Sequence, residues 1–141
     1  MDDICEIPDE LRARILKSDS ITIWPIGENP LSDSYQTARY FQDQGWRLYP
    51  VHDRCQRILD EPCYREIRLI PDDYDILLLF TPSEQLADVI NFVFNADYVP
   101  PIIWTHVGIF DQRSYDRLIE SGIGVVMDQD LMDLHRKWVE E

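Results

Sequence analysis

The sequence predicts an α/β fold: an open, doubly wound sheet of about five parallel strands with helices on both faces. Two observations carry this. Short apolar, β-branched runs alternate with helix-period segments five times along the chain. The run Ile76-Leu77-Leu78-Leu79-Phe80 is continuously apolar, which fits a strand covered on both faces. A chain of 141 residues, 45% of them hydrophobic, makes one domain with a core of its own.

Each element has a local reason. Pro8 to Ser18 reads as a short helix, with Leu11 and Ile15 four apart and Asp9 and Glu10 in the first turn. Residues 1–19 are thus an N-terminal helical extension, and 20–141 the main domain. Ile21 to Ile26 is a buried strand, although Pro25 cannot donate to a ladder. Ser34 to Gln44 is a helix, with Asp33 and Gln36 as a capping pair and Gly45 as its stop. Trp46 to Val51 is the second strand, and Arg54 to Leu59 reads as a short helical piece. After the third strand, Asp75 to Phe80, the run Thr81-Pro82-Ser83-Glu84 spells a capping box. Its helix carries Leu86, Val89, Ile90 and Val93 on one face. Ile102 to Thr105 is the fourth strand. Asp111 caps a helix with Tyr115, Leu118 and Ile119 inward and Gly122 as its stop. Gly124 to Met127 is the fifth strand, and Asp128 caps a last helix bearing Leu131, Leu134 and Trp138.

Composition excludes several classes. Lysine and arginine total 13 against 27 aspartates and glutamates, a net charge of −14. Such a field repels polyanions, so nucleic acid and anionic membrane are not expected partners. No apolar run approaches the roughly 20 residues of a membrane helix, and Met1-Asp2-Asp3 does not open a signal peptide. Three cysteines, Cys5, Cys55 and Cys63, without C-x-x-C spacing fit reduced thiols in a cytoplasm.

Ligands of parallel α/β sheets bind beyond the carboxyl ends of the strands. The first such loop runs Gly27-Glu28-Asn29-Pro30-Leu31-Ser32-Asp33-Ser34. It lacks the remaining glycines of G-x-G-x-x-G and has no Walker pattern. It feeds a helix N-terminus, which is an anion site, and Ser32 and Ser34 can add hydroxyl donors. The competing reading makes Ser32, Asp33 and Ser34 helix caps only. Between Ser34 and Leu59, four arginines (Arg39, Arg47, Arg54, Arg57) face two aspartates (Asp43, Asp53), so this stretch carries +2 and the rest −16. Arg47, Arg54 and Arg57 can grip a phosphate, while Arg39 is expected in water.

Three strings together resemble the small single-domain CoA-binding proteins. They are Ile26-Gly27-Glu28-Asn29-Pro30, Ser34-Tyr35-Gln36-Thr37-Ala38-Arg39-Tyr40-Phe41 and Gly45-Trp46-Arg47-Leu48-Tyr49-Pro50-Val51-His52. That domain is similar to the CoA-binding half of succinyl-CoA synthetase. Ile103-Trp104-Thr105-His106-Val107-Gly108 and Gly122-Ile123-Gly124-Val125-Val126-Met127-Asp128 extend the likeness over about residues 20–138. The resemblance implies a Rossmann-like domain with CoA as cofactor. Gly27, Asn29, Ser32 and Ser34 would meet the diphosphate, and His52, Arg54 and Arg57 the adenosine end. Thr81 and His106 would complete the set from the third and fourth strand ends. Six positions depart from the family pattern. Asn29 stands for a serine, His52-Asp53 for Asn-Pro, Thr81 for a basic residue, His106 for a glutamine and Asp130 for a cysteine.

The leading expectation is noncatalytic binding of CoA or a related nucleotide, with no catalytic residue and no metal site. A second reading is a degenerate module acting in protein interaction or oligomerisation, through a homo-oligomer or a basic protein partner. A third is a small NAD- or metal-dependent enzyme using His52, Asp53 and His106, with Asp128 completing a His-His-Asp metal set. His135 is expected on the solvated side of the last helix. Cys55 and Cys63 read as small apolar residues, with a redox pair as the alternative. The acidic stretch Glu61, Glu66, Asp72, Asp73 and Asp75 reads as a solvated face.

Overall fold

The computed structural model describes residues 7–141, so Met1-Asp2-Asp3 and Cys5 lie outside the described residues. In chain order the elements are α1 (Asp9–Lys17), β1 (Ser20–Trp24), α2 (Asp33–Asp43) and β2 (Arg47–Pro50). A small hairpin follows, β3 (Arg57–Ile58) and β4 (Glu61–Pro62). Then come β5 (Ile76–Leu79), α3 (Leu86–Phe94), β6 (Ile102–Thr105), α4 (Gln112–Glu120), β7 (Gly124–Val126) and α5 (Leu131–Glu140). The main sheet has five parallel strands in the order β2-β1-β5-β6-β7. This is the predicted Rossmann-like α/β architecture. The chain leaves β1 toward one side and returns to its other side at β5. The topological switch therefore lies between β1 and β5, where such sheets open a crevice.

Both faces of the sheet are covered. Along β5, Ile76 and Leu78 pack with α1, α2 and α5, while Leu77 and Leu79 pack with α3 and α4. All four are fully buried, each worth about 1.5–3 kcal/mol of apolar transfer. Leu11 and Ile15 of α1 enter the first of these clusters, so the N-terminal helix shares the domain's core. Pro25 falls just past β1, outside the ladder, which resolves the conflict between that proline and a central strand.

Several local expectations are corrected. The cap of α2 is Ser32, whose hydroxyl accepts from the Tyr35 amide at 3.4 Å; Asp33 is the first helical residue. No Thr81–Glu84 box forms. A 3₁₀ turn over Ser83–Gln85 precedes α3, no side chain caps either, and Thr81 is buried instead. Pro82 has extended backbone (ψ 149°) and itself takes the cap position, so the turn starts at Ser83 and Thr81 lies outside it. Asp130 rather than Asp128 caps α5, accepting from the Asp133 amide at 2.9 Å. The segment Arg54–Leu59 is not helical, because its second half pairs as β3 with β4. Leu59 and Asp60 turn that hairpin with φ of 53° and 64°, as a two-residue primed turn requires. Asp111 does cap α4, accepting from the Ser114 amide at 3.0 Å. Leu118 points inward there, but Ile119 is 48% exposed.

His135 is buried, not solvated. Its Nδ1 shares a 2.7 Å hydrogen bond with the Tyr40 hydroxyl, and its ring lies against Phe41 and Trp46 at 5.1 and 5.4 Å. Burial pushes its pKa below the ordinary 6.5, so protonation favours the unfolded chain. The neutral ring's contribution is complete above pH 6.5 and is lost as pH falls through the depressed native value. The urea midpoint is therefore expected to drop from pH 7 to pH 5, with a shallower drop in His135→Gln. Equal slopes in the two proteins would show that the imidazole does not titrate against burial.

Candidate functional site

The carboxyl ends of β1, β2, β5 and β6 bring the first loop, His52, Thr81 and His106 to one edge of the sheet. The first loop is tightly self-bonded. The Asn29 carbonyl accepts from the Ser32 amide at 2.9 Å and from the Ser32 hydroxyl at 2.8 Å. Asn29 Oδ1 accepts from the Leu31 amide at 2.9 Å. The Gly27 amide donates to Ser34 Oγ at 2.8 Å. Ser34 accepts in that bond, so its own hydroxyl proton remains free to be donated. Gly27 lies close under this turn, where a Cβ would meet Ser32 Oγ at 2.5 Å. The amides of the first turn of α2 face the same edge, as at other helix N-termini that hold anions.

Two histidines reach across to this loop, each to a carboxylate. His52 Nε2 lies 3.2 Å from Glu28 Oε1, and His106 Nε2 lies 3.4 Å from Asp33 Oδ2. His52 is buried, and its Nδ1 accepts from the Arg54 and Cys55 amides, both at 2.9 Å. A ring nitrogen that accepts carries no proton, so the neutral ring holds its proton on Nε2. His52 thereby keeps its proton on the nitrogen that lies 3.2 Å from Glu28. The 3.6 Å approach of Nδ1 to Asp53 Oδ1 is then no ion pair. His106 is covered on one face by Phe80, with ring centroids 4.6 Å apart.

The arginines sort differently from the sequence expectation. Arg54 Nη2 is 4.0 Å from Glu28, and its Nε is 3.6 Å from Asp53. Arg57 bonds the Asp60 carbonyl of its own hairpin. Arg47 starts β2, at the opposite edge of the sheet, and pairs with Asp19 at 3.6 Å, so it cannot grip a ligand at the crevice. Arg39 is exposed, as expected. Arg65, which sequence reasoning passed over, donates to the carbonyls of His52 at 3.4 Å and Cys55 at 3.2 Å. Its signal lay in the fold of the segment, not in any motif. A cavity of about 210 Å³ opens here, lined by Trp24, Pro25, Val51, His52, Asp53 and Arg65. Whole ligands fill about 300–1,000 Å³, so this volume takes one part of a ligand.

The predicted His52, His106 and Asp128 set does not assemble. His106 turns to Asp33, while Asp128 Oδ1 accepts from the Gly108 amide at 2.6 Å. Among the described residues, the group with metal-ligand spacing is Glu28, His52 and Cys55, whose donor atoms lie within 4.8 Å of one another. The proton on His52 Nε2 leaves that nitrogen no lone pair for a metal. Loss of solvation and a hydrogen bond to Glu28 push the Cys55 thiol up, and burial raises Cys63 to about 11. Neither thiol is a thiolate at neutral pH, and the thiolate is the form that attacks.

What the geometry offers is a set of donors along one edge, the Ser34 hydroxyl, the α2 amides, His52 Nε2 and Arg54. Comparison with known proteins gives the family. The CoA binding domain family matches residues 13–135. The YneT protein of Bacillus subtilis (strain 168), called uncharacterized, is 26% identical over 119 residues, 84% of this chain and 87% of its own length. A Thermus thermophilus structure, cell-free ID.343, is 29% identical with a TM-score of 0.83, over 91% of this chain and 96% of that one. A hypothetical protein from Pyrococcus horikoshii OT3 shares the fold at 19% identity, with a TM-score of 0.86 over 99% of this chain and 97% of that one. The matched span takes in all five strands of the main sheet together with the Gly27 loop, His52 and His106, and this chain belongs to the CoA-binding domain family.

Proposed function

We propose that the protein is a noncatalytic, cytoplasmic binder of CoA or a closely related adenine nucleotide. The observation that carries this reading is the convergence of polar groups from four separate segments beside the topological switch. The Gly27–Ser34 loop and the start of α2 face the diphosphate position. His52 and Arg54 face the adenosine end, beside the 210 Å³ cavity. Thr81 and His106 close the far side. Family membership supports a CoA-type ligand. The raised Cys55 and Cys63 thiols support binding without covalent catalysis. Free Cys55 and Cys63 fit a reducing compartment.

Calorimetric titration with CoA tests the reading. The folded chain is expected to give saturable heat below millimolar ligand. His52→Ala should weaken binding about fivefold, the value of one ordinary hydrogen bond, because the imidazole lies 3.2 Å from Glu28 beside the adenosine end. A folded chain that gives no heat with millimolar CoA or ADP rules the reading out.

A further inference from the structure

The adenosine end of the crevice carries carboxylates where an extra phosphate would need cations. Every guanidinium at this corner is already matched. Arg65 donates to the His52 and Cys55 carbonyls, and Arg57 to the Asp60 carbonyl. Arg54 lies between two carboxylates, 4.0 Å from Glu28 and 3.6 Å from Asp53. The protonated Nε2 of His52 also stands 3.2 Å from Glu28 Oε1. Glu28 and Asp53 thus hold the donors that would otherwise meet a phosphate. Their side chains are 52% and 85% exposed, so their remaining oxygen lone pairs are open to a ligand.

Ionised carboxylates only accept hydrogen bonds. They suit hydroxyl groups and repel a phosphomonoester, which carries about −1.5 to −2 at neutral pH. In open α/β nucleotide sites an acidic residue beyond the second strand takes the ribose hydroxyls, and an arginine accommodates a ribose phosphate. We infer that this protein selects an adenine nucleotide diphosphate whose ribose diol is free, over one carrying a ribose phosphate, and that Glu28 and Asp53 make the selection. The inference rests on the nucleotide reading above and refines its ligand: dephospho-CoA fits better than CoA, and ADP better than adenosine 3′,5′-bisphosphate.

The test is calorimetry on the full chain with CoA and dephospho-CoA, in the wild type, Glu28→Gln and Asp53→Asn. The wild type should bind dephospho-CoA more tightly, by roughly fivefold, the scale of one exposed charge pair. Either variant should shrink that ratio, and the double variant should bring it to one or below. Both side chains are exposed, so the variants keep the fold, and a thermal melt checks this. A wild type that binds CoA as tightly as dephospho-CoA, or tighter, overturns the inference and leaves nucleotide binding standing. A ratio that is the same in all four proteins also overturns it. No heat from either ligand in any folded protein overturns the nucleotide reading itself, and the inference with it.

Discussion

Alanine at Gly27 is expected to weaken nucleotide binding at least about tenfold, a loss of some 1.4 kcal/mol. The added Cβ would lie 2.5 Å from Ser32 Oγ, 3.1 Å from Ser32 Cβ and 3.2 Å from Ser34 Oγ. Ser32 is not the loose end of a long side chain. Its hydroxyl donates to the Asn29 carbonyl at 2.8 Å and accepts from the Tyr35 amide at 3.4 Å. Moving it removes the cap of α2, worth about 1 kcal/mol of stability, and opens the Gly27–Ser34 bond. The loop then no longer presents its donors where a diphosphate passes. Calorimetry and a thermal melt on the same sample check this. A folded Gly27→Ala protein with unchanged affinity would show that the ligand does not cross this loop.

Trp104→Ala should be the most destabilising single truncation among these proposals, at about 3–5 kcal/mol. Trp104 sits in β6 with no exposed surface, in the cluster with Phe41 and Leu131. Its Nε1 donates to the Gln129 carbonyl at 2.7 Å, so truncation opens a cavity and also removes that hydrogen bond. Domains of this kind are stable by only about 5–15 kcal/mol, so much of the margin goes. The urea midpoint is the measurement, with the slope unchanged if the loss is in the native state. Trp138→Ala, on the half-buried face of α5, should cost less than half as much. Equal losses would mean that packing across β6 is looser than the structure has it.

The sheet and its helices were legible because burial on both faces leaves continuous apolar runs such as Ile76–Phe80. Caps were less so, for a chemical reason. Ser32 and Asp33 both suit a helix start, but only the hydroxyl can also donate, and the Asn29 carbonyl needs a donor. Asp128 lost its expected role to a contact 20 residues away, the Gly108 amide. The β3–β4 hairpin carries no glycine or asparagine at Leu59 and Asp60, the residues that normally announce such a turn. In the site, His52 and His106 were readable as strand-end residues. Their carboxylate partners were not, because Glu28 and Asp33 reach them only through the fold. Charge counted along the chain put +2 on residues 34–59. In space Glu28 joins that patch from outside it, and Arg47 leaves for the opposite edge.

The hairpin after β2 also governs how copies of the chain can meet. Tyr64 lies alongside β2 through a parallel bridge to Val51, its amide donating to the Pro50 carbonyl and its carbonyl accepting from the His52 amide, both at 2.9 Å. The backbone groups at the crevice end of that outer strand are therefore spent inside the molecule. At the other border of the sheet, β7 runs for only three residues. Exposed strand borders are the usual templates for intermolecular pairing, and short or occupied ones are poor templates. This sheet is protected at one border by a strap and at the other by brevity, which guards the chain against growing into ribbons at high concentration.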